Sequence, residues 1–201
     1  ISRGLVGSEM CIRDRIDGLL ASLCVAQATL VGHSQGVLVA LESASRHPER
    51  VAALTLIAGA MAIPVNDALI DMSQSAPEKA FRMMTSWGHG PGAHKFDNTQ
   101  PGHAFLGYGR RVMAQNDGAA LHADLVACNS YDGGKDAAAS VTQPSLCLLA
   151  GKDKMTPVKF GRKMAEQISG AQCHVFERAG HFLPAEFPIE VNDAMAAFLS
   201  R

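Results

Sequence analysis

The hydrophobic positions of this chain alternate between short continuous runs and runs with helical spacing. Continuous apolar runs predict buried strands at residues 28–31, 51–58, 145–150 and 172–176. Apolar positions three or four residues apart predict helices at residues 16–24, 37–46, 158–168 and 184–199. Because strands and helices alternate, the pattern predicts an α/β fold with a mostly parallel sheet and helices on both faces.

Residues 61–143 differ in character from the segments on either side. They are rich in Gly, Met and His, and helical stretches are predicted near residues 67–84, 102–115 and 121–131. An insertion of this size between two strands is interpreted as a helical cap over the strand ends, and such caps carry substrate choice. The predicted division is therefore a core of residues 16–60 and 144–201 and a cap of residues 61–143.

Composition narrows the class of protein. The net charge of −1 indicates neither nucleic acid nor an acidic membrane surface as a partner, and no apolar run approaches the roughly 20 residues of a membrane span. The five cysteines are scattered, odd in number and without metal-ligand spacing, which favours core residues in a reducing, cytoplasmic compartment. We expect a small-molecule substrate, no metal and no cofactor, and the oligomeric state stays open.

Residues 1–15 are interpreted as foreign to the fold. The run LVGSEMCIRD at residues 5–14 matches, residue for residue, the conceptual translation of a sequencing-library transposon adapter. The alternative is an ordinary N-terminal segment that forms a short polar helix. The match favours a non-native segment, so we expect the native sequence to begin at Ile16 as the back part of a longer, N-terminally truncated protein.

A candidate nucleophile lies between the first predicted strand and the helix that follows it. Residues 32–36 read GHSQG, the G-x-S-x-G pattern that forms a nucleophile elbow in a strand–turn–helix context. Such a turn holds the serine, here Ser34, in a strained backbone conformation that exposes its hydroxyl. We expect both Gly32 and Gly36 to be required, because strand and helix pass too close for a Cβ.

Two further polar residues follow predicted strands. Asp153 comes just after the strand at residues 145–150, and His181 lies in the turn after the strand at residues 172–176. Carboxyl ends of parallel strands are where open α/β sheets place their chemistry. Two alternatives remain: Asp153 could be only a turn or capping residue, with Asp132 or Asp136 as the next acid candidates, and His181 could be a surface histidine.

Three motifs in this order resemble the α/β-hydrolase fold family with a cap. They are GHSQG at residues 32–36, G-x-D at residues 151–153, and G-H followed by E-x-P at residues 180–188. The chemistry then assigns Ser34 as nucleophile, His181 as general base and Asp153 as the group that orients the imidazole. The backbone N–H of Gln35 is one oxyanion donor.

The resemblance also implies strands and an oxyanion donor that the sequence of this chain does not show. The family's sheet has about eight strands with the serine after the fifth, and the loop after the third strand supplies the other oxyanion donor. Only four strands are predicted here. We therefore expect an open apolar edge at the elbow strand, and a 201-residue chain that is inactive or poorly folded although its parent is active.

Neighbouring residues were assigned lesser roles. His33 and Met155 are candidate substrate-binding residues, with His33 favoured as a packed neighbour of the serine rather than a catalyst, and Glu186 is expected to satisfy backbone N–H groups. The cap histidines match no metal template and indicate loop polarity: His89, His94 and His103. Trp87 and the cap methionines are interpreted as core residues rather than pocket residues.

The function that follows is hydrolysis of a small or medium carboxylic ester, thioester or lactone through an acyl-enzyme. A serine nucleophile argues against the relatives that use aspartate. Acyltransferase, carbon–carbon hydrolase and lyase activities use the same three residues and stay open, as does a non-catalytic ligand receptor on the same fold.

Overall fold

A computed structural model of the chain describes residues 9–96 and 104–200. Four strands form one sheet in the order β1-β2-β3-β4: β1 (Ala28–His33), β2 (Val51–Ile57), β3 (Ser145–Ala150) and β4 (Gln172–Phe176). Every neighbouring pair is parallel. The predicted α/β fold with a parallel sheet is confirmed.

Helices connect and flank these strands. They are α1 (Glu9–Ser22), α2 (Gln35–Arg46), α3 (Asp67–Ser75), α4 (Pro77–Gly88), α5 (Pro91–Phe96), α6 (Phe105–Met113), α7 (Gly118–Ser130), α8 (Gly134–Ser140), α9 (Val158–Gln167), α10 (Leu183–Glu186) and α11 (Pro188–Leu199). A short 3-10 turn, Pro48–Arg50, precedes β2. The short helices α5 and α8 were not predicted, because so few turns give little periodicity to read.

Two prolines divide helices that the pattern predicted as continuous. Ala76, before Pro77, has φ −151° and ψ 64°, and it separates α3 from α4. Phe187, before Pro188, has φ −134° and ψ 56°, and it separates α10 from α11. A proline ring clashes with a helical residue in front of it, so each helix ends there. The predictions of single helices at residues 67–84 and 184–199 were wrong.

Helix α1 begins at Glu9, earlier than the predicted start at Ile16. Part of the segment interpreted as foreign is thus helical, while residues 1–8 lie outside the described part of the chain. Asp17 ties α1 to the start of β2 by accepting a 3.0 Å hydrogen bond from Arg50 Nε. The foreign origin of residues 1–15 stays a prediction.

Hydrophobic clusters lie on both faces of the sheet. On one face, residues of α2, α8 and α9, including Leu41, Ala138 and Met164, pack against Leu54 and Leu149 of the strands. On the other face, Leu183, Val191 and Phe198 pack against Ile57, Leu146 and Leu148. Helix α8 falls within the range predicted as cap but packs in the core cluster, and the division into core and cap stays a prediction.

Helices α3, α4 and α7, which lie in the predicted cap (residues 61–143), share a small hydrophobic core. Leu69, Ala80 and Leu125 bring α3, α4 and α7 together. Leu38 of α2 packs against Ile63 and Cys128, which joins this group to the sheet domain. A partly buried hydrogen bond of 2.8 Å, from Tyr131 Oη to Glu42 Oε1, strengthens the junction and gives the buried Glu42 side chain a partner. The cap is therefore fixed directly to the helix that follows Ser34.

Strand β1 pairs on one side only within the described residues. Val31 at its centre is 52% exposed, whereas every residue of β3 is buried. The expected open apolar edge is thus present at the elbow strand in the described part of the chain, and such an edge favours intermolecular strand pairing.

The two glycines of the elbow have different surroundings. A Cβ on Gly32 would lie 2.3 Å from the carbonyl oxygen of Gly36, so the strand and helix cross too closely for a side chain. A Cβ on Gly36 would meet no described atom within 4 Å. The steric requirement for glycine is confirmed at position 32. At position 36 no described atom is close enough to exclude a Cβ.

Substitution of the two glycines tests this difference. Gly32→Ala is expected to lower the free energy of unfolding by about 2–3 kcal/mol, because backbone rather than a flexible side chain must move. The matched control, Gly36→Ala, lies in the first turn of α2 and should be neutral or stabilising by up to about 1 kcal/mol. Urea unfolding measures both, and equal losses would contradict the close crossing.

Candidate active site

Ser34 occupies the turn between β1 and α2 with φ 57° and ψ −122°. Positive φ is rare for a residue with a side chain, and the conformation is held by a 3.0 Å hydrogen bond from the Ser34 N–H to the carbonyl of Ile57. Ser34 precedes α2, but its hydroxyl makes no capping bond to the helix. The predicted strained elbow is confirmed, and the hydroxyl is not used for capping.

The structure brings Asp153 and His181 together. His181 Nδ1 lies 2.8 Å from Asp153 Oδ2, and the two residues are 1% and 7% exposed. Because the carboxylate is ionised, Nδ1 carries the proton and donates it. The interpretation of His181 as a surface histidine is wrong. Both alternative acids, Asp132 and Asp136, are exposed.

Each oxygen of the Asp153 carboxylate has its own partners. Oδ1 accepts hydrogen bonds of 2.8 Å from the N–H groups of Met155 and Thr156, which is the turn-capping role offered as an alternative. Oδ2 faces His181 and lies 2.7 Å from Thr156 Oγ1, which is also 2.7 Å from the carbonyl of Ala58. The Thr156 hydroxyl has one proton, so it donates to one of these acceptors at a time.

These partners determine the charge of Asp153. Burial by itself would raise the pKa of the Asp153 carboxyl. The hydrogen bond and charge of His181, followed by the bonds from Thr156, outweigh burial and lower the pKa below its usual value. The carboxylate is therefore ionised at neutral pH and able to stabilise a positive charge on the imidazole.

His33 contacts the main chain of His181. Its Nε2 lies 2.7 Å from the carbonyl oxygen of His181, and the two imidazole rings are 4.9 Å apart at an angle of 47°. A carbonyl only accepts, so Nε2 carries the proton of a neutral ring. Burial, and next the charge of His181, lower the pKa of His33 to about 4.

Glu186 anchors the other side of the His181 loop. Its Oε1 accepts a 3.1 Å hydrogen bond from Gly180 N–H and its Oε2 a 2.9 Å bond from Gly90 N–H. Glu186 is 3% exposed, and burial raises the pKa of its carboxyl against the effect of these two donors. The expectation that Glu186 satisfies backbone N–H groups is confirmed, and it links the loop to the cap.

A cavity of about 240 Å³ opens at Ser34 beneath the cap. Its lining residues come from the elbow, the loop after β3 and the cap: Ser34, Gln35, Ile63, Pro64, Val65, Asn66, Leu69, Met84, Trp87, Leu121, Asp124, Leu125, Cys128, Lys154 and Met155. Met155 thus lies where a substrate-binding residue was predicted. His33 is not among these lining residues, and its substrate-binding role stays a prediction.

Sequence reasoning missed the residues that the cap contributes. Trp87, interpreted as core, is 38% exposed and lines the cavity together with Met84. A larger cleft of about 620 Å³, beside Lys95, Arg178 and Glu186, contains none of the candidate catalytic residues. No local pattern distinguishes a tryptophan that faces a cavity from one that faces a core, because the difference arises from how α4 is placed.

Gln35 is the first residue of α2, where helix geometry directs backbone N–H groups out of the N-terminus. Its side chain donates from Nε2 to the carbonyl of Asp124 on α7 over 3.4 Å. The proposed oxyanion donor is therefore also a contact between the elbow and the cap.

The cap histidines within the described residues bind backbone carbonyls. His89 Nδ1 lies 2.8 Å from Thr85 O, and His94 Nε2 lies 2.9 Å from Ser86 O. His103 lies outside the described residues. Across residues 9–96 and 104–200 no three potential ligand side chains are grouped as a metal site would require, and no helix has the length and apolar character to span a membrane.

With the fold and the site described, comparison with known proteins assigns the family. The model of the alpha/beta hydrolase family matches residues 8–194. The chain belongs to the alpha/beta hydrolase family.

Individual relatives agree with this assignment. The chain is 26% identical to 2-hydroxymuconate semialdehyde hydrolase of Pseudomonas sp. (strain CF600), covering 93% of the chain and 67% of the relative. It is 27% identical to pimeloyl-[acyl-carrier protein] methyl ester esterase of Neisseria meningitidis serogroup B (strain H44/76), covering 82% and 66%. The chain thus spans about two thirds of the length of these curated relatives.

A solved structure shows the same fold. The enol-lactonase from Burkholderia xenovorans LB400 superimposes with a TM-score of 0.88 at 20% identity, covering 98% of this chain and 74% of the other. At this identity the likeness concerns the fold.

The pKa of His33 predicts how stability depends on pH. A folded pKa of about 4, below the usual histidine pKa of about 6.5, means that protonation of His33 opposes folding. Stability is therefore retained above pH 6.5 and lost as the pH falls toward 4, by up to roughly 3 kcal/mol. In His33→Gln, an amide N–H replaces the imidazole donor and does not titrate, so this part of the pH dependence should disappear.

Urea unfolding at pH 7 and pH 4.5 measures the effect as a difference between the unsubstituted protein and His33→Gln, in which the contributions of the other titratable groups cancel. His33→Leu serves as the control that loses the donor, and it should be less stable than His33→Gln at pH 7. If acidification lowers the free energy of unfolding equally in the unsubstituted protein and in His33→Gln, a neutral, donating His33 is contradicted.

Proposed function

We propose that this protein is a serine hydrolase that cleaves a small or medium carboxylic ester, thioester or lactone through an acyl-enzyme. The observation that carries the proposal is the buried 2.8 Å hydrogen bond between His181 Nδ1 and Asp153 Oδ2, formed in loops at the same sheet edge as the strained Ser34. With Nδ1 protonated and bound, Nε2 of the same ring is the basic nitrogen.

The reaction follows from these residue types. His181 Nε2 takes the proton of Ser34 Oγ as that oxygen attacks the carbonyl carbon, and Asp153 stabilises the imidazolium that forms. The N–H of Gln35 donates to the carbonyl oxygen as it gains negative charge. The imidazolium then protonates the leaving alkoxide, and water attacks the resulting acyl-serine by the same steps in reverse order.

Two features support an ester-type substrate. The cavity at Ser34 is lined mainly by apolar side chains, as an acyl or alkyl group requires. The curated relatives include a protein named as a methyl ester esterase, at 27% identity.

Reactivity of Ser34 tests the proposal. A fluorophosphonate probe phosphonylates a serine only where a base and an oxyanion donor act on it. We expect labelling of Ser34, its complete loss in Ser34→Ala, and slowing by about 10³–10⁴-fold in Asp153→Asn, because the amide no longer holds the reactive tautomer of His181. Mass spectrometry of the labelled peptide identifies the site.

If the unsubstituted protein stays unlabelled while it binds small molecules in the cavity, the non-catalytic receptor is favoured instead. Labelling that survives Asp153→Asn at the full rate would contradict the role of the carboxylate. Circular dichroism of Asp153→Asn provides the folding control, because Asp153 Oδ1 also caps the turn at Met155 and Thr156.

We also propose that the 201-residue chain turns over esters slowly. The N–H of Gln35 is the one oxyanion donor that the motif assigns, and loss of one donor costs about 10²–10³ in rate. p-Nitrophenyl acetate turnover is therefore expected to be about 10²–10³-fold lower than in a longer form that carries a second donor. Equal rates in the two forms would overturn this part of the proposal.

A further inference from the structure

Among the described residues that line the cavity at Ser34, Lys154 is the one basic residue. Lys154 lies between Asp153 and Met155, and all three belong to the loop after β3. The Asp153 carboxylate accepts the N–H of Met155 at 2.8 Å, so the main chain around Lys154 is fixed by a candidate catalytic residue. The main chain of Lys154 is therefore held next to Asp153, and its exposed side chain borders the cavity.

Lys154 has no carboxylate partner in the part of the chain that the structure describes. The described ion pairs join other residues, including Arg46 with Glu42 and Arg50 with Asp17. The rest of the cavity wall is mainly apolar, with side chains such as Ile63, Leu69, Trp87 and Leu125. An apolar wall next to an exposed ammonium is suited to a ligand with an apolar body and a negatively charged end.

Asp124 is the one acidic residue among the described lining residues. It lies on α7, and its backbone carbonyl accepts the Gln35 side chain at 3.4 Å. Because Asp124 lies in the same cavity, a cationic ligand is the competing possibility. The binding test therefore compares ligands with negative, neutral and positive ends.

We propose that Lys154 forms an anion subsite that selects esters whose non-reacting end carries a carboxylate, such as monoesters of dicarboxylic acids. The inference rests on the proposed function, since it places the ester group at Ser34 and the remote carboxylate at Lys154. Lys154 acts as a binding residue that touches substrate and takes no part in proton transfer.

The expected size of the effect is modest. A partly solvent-exposed ion pair contributes about 3–5-fold to affinity, and more where an apolar wall excludes water. The preference should also shrink as ionic strength rises, because an exposed pair is screened by salt. A preference that came only from apolar contacts would not become smaller as the ionic strength rises.

Trp87 provides a signal that does not depend on catalysis. It is the only tryptophan of the chain and lines the same cavity, so its fluorescence reports ligand binding next to Lys154. Titrations in a Ser34→Ala background avoid consumption of the ester. The three probes share one methyl ester and chain length and differ in terminal charge: monomethyl adipate, methyl hexanoate and methyl 6-aminohexanoate.

We expect monomethyl adipate to bind about 3–5-fold more tightly than methyl hexanoate, and the amino ester to bind no better than the neutral one. Lys154→Met should abolish the preference while leaving affinity for methyl hexanoate within about twofold, and Lys154→Arg should retain the preference. Lys152→Met is the matched control, because Lys152 lies two residues earlier and lines the separate cleft near Arg178.

Equal binding of the three esters, tighter binding of the amino ester, or a preference that persists in Lys154→Met would each overturn the proposal. The absence of any fluorescence change with all three esters would overturn it as well. None of these results bears on fluorophosphonate labelling of Ser34, so failure of the subsite is distinguishable from failure of the proposed hydrolase function.

Discussion

The candidate site depends on one buried hydrogen bond, from His181 Nδ1 to Asp153 Oδ2 at 2.8 Å. Asp153 and His181 are 28 residues apart in sequence and meet because β3 and β4 are adjacent parallel strands that end together, with Ala150 opposite Phe176. A buried carboxylate is costly without partners, and here two backbone N–H groups, the Thr156 hydroxyl and the imidazole supply them. The charge that would stabilise an imidazolium is thus maintained by the same loop that positions it.

Two polar residues, His33 and Glu186, hold the main chain around His181 by hydrogen bonds. Neither residue is assigned a part in proton transfer. Neutral His33 donates to the carbonyl of His181, while Glu186 accepts the N–H of the preceding Gly180 and of Gly90 in the cap. A ring whose backbone is fixed in this way has few orientations open to it, which is the preorganisation that general base catalysis requires. Because His33 adjoins Ser34, the elbow itself supports the loop that carries the histidine.

The sheet core and the predicted cap contribute different residues to the candidate site. The sheet and its loops supply Ser34, Asp153 and His181, whereas the cap supplies much of the cavity lining, including Trp87 and Leu121. The family membership of the chain follows from the conserved architecture of the family model, but curated relatives at 26% and 27% identity are named for different substrates. Substrate choice in such a protein is decided by the few side chains that line the cavity under the cap.

Sequence alone determined the order and type of the sheet elements, since β3 and β4 begin and end as predicted. It also singled out Ser34, Asp153 and His181 as candidates, because each follows a strand in a short motif. These features are local: an apolar run, a glycine pair or a loop position can be read from adjacent residues. Tertiary structure alone decided that Asp132 and Asp136 are exposed, that His33 contacts the main chain of His181, and that Trp87 lines the cavity. Those outcomes depend on which elements lie beside each other, and a side chain's neighbours across a fold leave no pattern in its own stretch of sequence.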